Sequence, residues 1–310
     1  ARNLVLQSLS IDARIAAGKA LRKAVPRAAH AEGSIVAQDR DPLELLARCN
    51  QDRIADLVRL RFGRLLRSPF TFLRGSPGLM AHDLASTPVT GLRVQACGDC
   101  HLTNFGLFAT PERNLVFDLN DFDETLPGPW EWDIKRLVTS FVVAARANGI
   151  SDQRARDTAT AAARSYREHL REFAELSPLE VWYYRVDVDE LCKLAAGSDS
   201  RSQRQKLSER ARTRTGENLY PKITEGEEGR RRFVDDPPLL QQLDEETWRK
   251  PVDTGIAEYR ESLADDRRFM FDRYQIEDFA LRVVGIGSVA TRCFVALLYC
   301  DDRNPLLLQV

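Results

Sequence analysis

Apolar side chains near the start of the chain recur close to the period of an α-helix. A Pro preceded by Asp at residues 41–42 is a typical helix start, because the Asp side chain can cap the first turn. The sequence therefore predicts a helical region within the first sixty residues. The apolar positions that carry this pattern are Leu43, Leu45, Leu46, Ile54, Leu57, Val58 and Leu60.

Between residues 91 and 123 the pattern changes to short apolar runs separated by turn residues. The runs cover residues 92–96 and 115–117, and residues 110–114 form the turn between them. Short runs of this kind are typical of strands. We therefore expect a small β element here. Residues 124–132 carry Pro and Gly and are predicted to form a loop.

Longer amphipathic segments follow the β element. The helical period predicts helices over residues 132–148 and 152–175, with Gly149 ending the first, and a third over residues 256–274. The last part of the chain then reads as three strands joined by a glycine-containing loop and a turn. The predicted strands cover residues 279–284, 293–299 and 305–310.

Residues 196–236 are polar and charged, with few apolar anchors. Such a composition is typical of a solvated excursion or a lid. In the alternative interpretation, Lys222 or the arginines at residues 230–232 reach a substrate phosphate.

The balance of charge excludes a global basic field of the kind that favours nucleic-acid binding, because the net charge is -1 at pH 7. No stretch approaches the roughly 20 apolar residues of a membrane span, and no signal sequence opens the chain. We expect a cytoplasmic protein with no membrane or nucleic-acid partner. Six cysteines among 310 residues are too sparse for a disulfide scaffold, so reduced thiols are expected.

One segment carries residues suited to phosphoryl transfer. Asp99 stands five residues before Asn104, and Asp121 follows a strand-like run. This spacing can place a base and a metal-binding amide on one tight loop, with a later Asp as second metal ligand. We predict Asp99 as the base and Asn104 and Asp121 as Mg²⁺ ligands. Asp123 is a further ligand candidate, because alternation along a continuing strand would place it beside Asp121. Hydrogen bonding within a turn is the alternative role for Asp99 and Asn104.

The spacing Asp99-x-His101-x-x-Asn104 resembles the catalytic loop of aminoglycoside phosphotransferases and, more loosely, that of protein kinases. The resemblance implies that Asp121 binds metal and that Asp133, which opens a helix, is structural and bonds the backbone of the loop. His101 takes the place of a lysine that touches the transferred phosphate in protein kinases, so it is a candidate catalytic residue. A hydrogen-bonded loop histidine is the alternative.

Longer phrases are similar to an uncharacterised bacterial family, domain of unknown function 2252, which is placed among kinase-like proteins. The phrases are SPFTFLRG at residues 68–75, VQACGD at 94–99, FDLNDFDETLPGPWEWD at 117–133 and GIGSVATR at 285–292. The resemblance covers most of the chain. It implies an α+β, protein-kinase-like fold of two lobes, and it names no substrate.

The order of the segments implies a circular permutation, because the glycine-containing loop follows the Asp99 segment instead of preceding it. Gly285, Gly287 and Ser288 would contact nucleotide phosphates through backbone N–H groups. The phosphate-binding lysine of the third strand would lie beyond Val310, so we expect a fragment truncated at the C-terminus. The predicted lobes are residues 1–275, which hold the Asp99 loop, and residues 276–310, an incomplete nucleotide lobe.

These observations favour an ATP- and Mg²⁺-dependent phosphotransferase acting on an unidentified hydroxyl group of a small molecule or protein. The first alternative is a pseudokinase that binds nucleotide without turnover, because Ala290 stands where a third glycine is expected. The second is a redox or zinc protein built on Cys97 and Cys100, which form a C-x-x-C motif. The sequence leaves the acceptor and the oligomeric state open.

Overall fold

The computed structural model describes residues 10–31, 40–193, 202, 206, 208–213, 216–227, 230–243, 245–301 and 303–310. Within this part of the chain, helices and antiparallel strands are mixed, which is compatible with the expected α+β class. None of the described helices is both long and apolar enough to cross a membrane. The chain divides into two compact units, residues 1–51 with 64–204 and residues 52–63 with 205–310. The lobes expected at residues 1–275 and 276–310 stay a prediction.

The first unit is built mainly from helices. They are α1 Ile11–Ala24, α2 Pro42–Arg48, α4 Pro69–Arg74, α5 Pro77–Leu84, α6 Trp130–Ala147, α7 Asp152–Glu175, α8 Pro178–Tyr183 and α9 Val188–Lys193, and α3 Ala55–Leu65 crosses the division between the units. Side chains cap several helix starts. Asp41 accepts N–H bonds at the start of α2, and Ser68 and Thr71 form a reciprocal capping box at α4. The predicted helices at 132–148 and 152–175 are confirmed to within two residues at each end.

Two small antiparallel sheets complete the first unit. Strand β1 (Arg93–Ala96) pairs with β4 (Leu126–Pro129), and β2 (Phe105–Ala109) pairs with β3 (Leu115–Leu119). The β element was therefore predicted correctly but incompletely. β2 was missed, and the segment that contains β4 was wrongly expected to be a loop. Its two prolines and one glycine suggest a turn, but a strand with a single partner tolerates residues that donate no ladder bond.

The second unit contains a four-stranded antiparallel sheet in the order β10-β9-β8-β7. Its elements are α10 Gly216–Ile223, β5 Thr224–Glu225, β6 Arg232–Phe233, β7 Leu240–Gln242, α11 Glu245–Ser262, α12 Asp265–Phe271, β8 Gln275–Arg282, β9 Phe294–Tyr299 and β10 Pro305–Gln309. The three predicted strands at the end of the chain are confirmed. The single helix expected at 256–274 is in fact two helices, which are separated near Ala264, the residue that precedes α12.

Both faces of the central sheet are buried, because alternate residues of β8 and β9 enter different apolar clusters. Ala280, Val295 and Leu297 belong to a cluster with Phe233, whereas Leu281 packs with Leu57 and Val289. This two-sided burial explains why the strands read as continuous apolar runs.

The described end of the excursion expected at residues 196–236 is mainly exposed, but buried side chains anchor it. Phe233 is completely buried and Thr224 nearly so. Arg231 donates to Thr224 O and lies over the Tyr220 ring, so it supports the local fold. The other described side chains of residues 221–236 are exposed or half-buried, so the polar composition of the segment gave no sign of these anchors. Part of residues 196–215, together with residues 228–229, lies outside the described residues.

Candidate functional site

The candidate site of the first unit is the Asp99 loop, residues 97–104, which connects β1 to β2. Asp133 in the first turn of α6 holds the start of this loop, because its two carboxylate oxygens accept the N–H groups of Cys97 at 2.8 Å and Gly98 at 3.1 Å. The structural role predicted for Asp133 is confirmed. Ser140, two turns further along α6, accepts the N–H of Leu102 at 2.9 Å. The inner face of α6 therefore supports the loop along its length.

The Asp99 carboxylate is paired with Arg136. Arg136 Nε donates to Asp99 Oδ1 at 2.7 Å, and Arg136 Nη2 donates to the same oxygen. The Arg136 side chain is only 2% exposed and that of Asp99 14%. Burial raises the pKa of Asp99, whereas the charge and hydrogen bonds of Arg136 lower it. The site thus holds a desolvated carboxylate beside a compensating cation.

His101 is buried next to this pair. Its Nε2 atom lies 3.5 Å from Asp99 Oδ2, and its Nδ1 atom lies 3.3 Å from Thr103 Oγ1. Burial, followed by the positive charges of Arg74 and Arg136, lowers the pKa of His101 to about 4. The imidazole is therefore neutral at pH 7 and can act only as a neutral hydrogen-bonding group. It does not reproduce the positive charge of a lysine.

Asn104 connects the two segments that carry the predicted ligands. Its Nδ2 atom donates to the backbone oxygens of Asp99 at 3.1 Å and Asp121 at 3.2 Å. Two carbonyl acceptors fix which end of the amide is nitrogen. The remaining atom, Oδ1, is buried and has no hydrogen-bond partner among the described residues. A buried acceptor of this kind requires explanation, and a bound cation or water would satisfy it.

Asp121 and Asp123 lie just beyond β3, which ends at Leu119. The strand does not continue, so the alternation argument for Asp123 is wrong. A turn brings the two residues together instead, because Asp121 Oδ1 accepts the N–H of Asp123 at 3.2 Å. The pKa of Asp123 is raised by partial burial and by the charge of Asp121. Asp121 also raises the pKa of Asp99, so the structure brings Asp99, Asn104 and Asp121 into one neighbourhood.

The Cys97 and Cys100 thiols are both buried and reduced. The interaction of the two thiols lowers the pKa of Cys97 and raises that of Cys100. Cys97 Sγ also accepts a hydrogen bond from Asn104 Nδ2 at 3.5 Å. Across the described residues, no group of three or more His, Cys, Asp or Glu side chains is arranged to hold a metal ion. This part of the chain therefore lacks the three or four such ligands of a typical zinc site.

The predicted glycine loop, residues 285–290, lies in the second unit and connects β8 to β9. Ser288 Oγ donates to Val284 O at 3.1 Å, and Ser288 O accepts the N–H of Thr291 at 3.1 Å. The N–H of Ile54, immediately before α3, donates to Ala290 O at 2.8 Å. Among the described residues, no partner accepts a hydrogen bond from the N–H groups of residues 286–290. The loop between two antiparallel strands is confirmed.

Two arginines of the site were not predicted from the sequence. Arg136 was assigned to an apolar helix, and Arg74 was treated only as part of a motif. A signal for Arg136 was present, because Arg136, Ser140 and Ala144 recur every four residues and share the buried face of α6. Arg74 ends α4, and its charge lowers the pKa of both Asp99 and His101.

Comparison with known proteins identifies the family. Residues 53–310 match the model of a family described as "Uncharacterized protein conserved in bacteria (DUF2252)". The chain belongs to this family, which confirms the family resemblance that the motifs predicted. No curated protein and no solved structure matches the chain.

Proposed function

We propose that this chain is an ATP- and Mg²⁺-dependent phosphotransferase that acts on a hydroxyl group of a small-molecule or protein acceptor. The proposed architecture is kinase-like, with two lobes in circularly permuted order. One observation carries the proposal. Asn104 holds the backbone of the Asp99 segment against that of Asp121 and keeps a buried amide oxygen, Oδ1, without a partner among the described residues.

The residues fit a magnesium ion better than a zinc ion. Mg²⁺ takes oxygen ligands and is usually held by one or two carboxylates together with phosphates and waters. Asn104 Oδ1 and the Asp121 carboxylate would hold the ion, with Asp123 as a further ligand. When bound, the ion would neutralise negative charge on the phosphates of the nucleotide.

In this proposal, Asp99 orients the acceptor. In the proposed step, the acceptor oxygen forms a bond to the γ-phosphorus while the bond from that phosphorus to the β,γ-bridging oxygen breaks. The hydroxyl proton passes to the Asp99 carboxylate, and ADP leaves. The glycine loop supports the nucleotide part of the proposal, because its N–H groups at residues 286–290 have no partner among the described residues. Consecutive N–H groups of this kind are suited to phosphate oxygens.

The test is calorimetric titration of the full-length protein with Mg-ATP, combined with an assay of ADP release across an acceptor screen. Asp99→Asn should abolish turnover and leave nucleotide binding largely intact, because Asp99 acts on the acceptor. Asp121→Ala should weaken Mg-nucleotide binding itself, because it removes a metal ligand. Asp118→Asn is the matched control, because Asp118 lies on β3, the strand that precedes Asp121, and its side chain is exposed.

Each other outcome has a defined meaning. No heat at millimolar nucleotide, a limit of about -4 kcal/mol, would contradict the proposal. The redox or zinc alternative, built on Cys97 and Cys100, would then be tested by alkylating the thiols. Loss of function on alkylation would support it. Binding without turnover on any acceptor of a broad screen would indicate a pseudokinase.

A further inference from the structure

Arg136 is a charged side chain in an unusual position. It lies on the inner face of α6, three residues after Asp133, and is 2% exposed. A buried arginine is rare unless it is paired. Its nitrogens have partners on three elements. Nε and Nη2 donate to Asp99 Oδ1, Nη2 also donates to Leu73 O at 2.7 Å, and Nη1 contacts Met80 Sδ at 3.5 Å.

The backbone of the Asp99 loop is already held by other residues. Asp133 accepts the N–H groups before Asp99, and Asn104 Nδ2 donates to the carbonyl oxygen of Asp99 itself. These contacts leave the direction of the Asp99 side chain undetermined. Arg136 supplies the hydrogen bonds that fix it, because a planar guanidinium that donates twice to one oxygen restricts the carboxylate strongly.

We infer that Arg136 is the positioning residue of the site. It donates hydrogen bonds to Asp99 Oδ1 and thereby directs Asp99 Oδ2 towards the acceptor hydroxyl. This inference rests on the proposed phosphotransferase function. Within the described residues, Asp99 Oδ2 accepts no hydrogen bond, and His101 Nε2 lies 3.5 Å from it. The two carboxylate oxygens thus have different environments. One is bound to Arg136, and the other is available.

Net stabilisation alone is a weak explanation for this pair. Burying two charges costs desolvation energy that their attraction offsets only in part, and apolar side chains of similar size often stabilise a fold as well. The hydrogen bond to Leu73 O gives Arg136 a second role. It connects the end of α4, which carries Arg74, to the guanidinium that contacts Asp99.

The experiment compares Arg136→Lys with Arg146→Lys in the full-length protein. Arg146 lies on the same helix but forms an exposed pair with Asp152, so its variant controls for the substitution itself. A lysine ammonium cannot reproduce the double contact. We expect Arg136→Lys to lower kcat about 100-fold, the typical effect of a small misplacement of a reacting group. The KM for ATP and hydrogen exchange of residues 97–104 should stay near wild type, because Asp133 and Asn104 still hold the backbone.

Hydrogen exchange separates positioning from folding. Faster exchange of residues 97–104 in Arg136→Lys, with a fall in kcat that matches the folded fraction, would mean a structural role and overturn the inference. Unchanged kcat would overturn it as well.

A spectroscopic readout keeps the test independent of turnover. With ¹³C-labelled aspartate, the carboxyl resonance of Asp99 is identified by its absence in Asp99→Asn. Arg136→Lys should shift this resonance, and Arg146→Lys should leave it in place. If wild type shows no turnover but the shift occurs, the proposed function fails and the positioning contact stands. If the resonance does not move, Arg136 does not position Asp99, whatever the activity.

Discussion

Gly98 directly precedes Asp99, and its backbone has a φ of +82°, in the left-handed region that favours glycine. A Cβ atom at this position would lie 2.0 Å from the carbonyl oxygen of Glu124, whereas real Cβ atoms essentially never approach closer than 3.0 Å. Gly98→Ala therefore requires the Glu124 backbone or the Asp99 loop to move by about 1 Å. We expect this variant to destabilise the first unit and to displace Asp99.

The magnitude follows from two contributions. The left-handed conformation costs a non-glycine residue about 1–2 kcal/mol, and relief of the contact adds about 1–3 kcal/mol, as for other overpacked sites. The free energy of unfolding should fall by about 2–5 kcal/mol in total. Gly149→Ala is the matched control, because Gly149 has a φ of +71° but a Cβ atom there would meet no other atom within 4 Å. It should cost only about 1–2 kcal/mol.

The assay is urea unfolding followed by tryptophan fluorescence, because Trp130, Trp132 and Trp182 lie in the first unit. The product of the urea midpoint and the slope gives the free energy of unfolding of each variant. If Gly98→Ala and Gly149→Ala agree within about 0.5 kcal/mol, the scatter of neutral substitutions, the contact with Glu124 does not constrain the loop and the reasoning is refuted.

Three further predictions concern stability. Asp133→Ala leaves the N–H groups of Cys97 and Gly98 without their acceptor. At about 1–3 kcal/mol for each group, it should cost about 2–6 kcal/mol in urea unfolding. A cost below about 1 kcal/mol, that of an ordinary exposed contact, would contradict this expectation. His101 has a folded-state pKa of about 4, below its usual 6.5, so wild type should lose stability as pH falls from 6.5 towards 4. His101→Gln should weaken this pH dependence in unfolding curves, and an unchanged slope would show that His101 does not titrate in this way. Phe233→Ala should lower the thermal midpoint of the second unit through a cavity cost of about 3–5 kcal/mol, whereas a solvated segment would show almost none.

Local sequence signals predicted much of the fold. The helix at residues 152–175 was predicted with both ends correct, because Ser151 caps its start and its polar and apolar residues follow the helical period. Gly149 was expected to end the preceding helix and does have a positive φ beyond it. The final strands were also predicted, since burial on both faces gives continuous apolar runs. These features depend on near neighbours in the chain, so the sequence contains their causes.

The candidate site was predicted in part. Asp99, Asn104 and Asp121 were identified by spacing, and Asp133 by the resemblance to phosphotransferases. The hydrogen bonds of Asp133 have the predicted form. The sequence could not say that Asn104 would join two backbone segments, since this contact requires the turn after β3 to return to the loop. Strand alternation does not place Asp123 beside Asp121, because β3 ends at Leu119.

Only the tertiary structure decided which distant groups meet. The pairing of β1 with β4 and the burial of Arg136 against Asp99 both depend on the path of the chain between them. A buried arginine and an exposed one have the same side chain, and their difference lies in the desolvation and the partners that the fold supplies. The sequence therefore determined the local elements and the residues able to do chemistry. The tertiary structure determined their charge environment, because that depends on contacts between segments far apart in the chain.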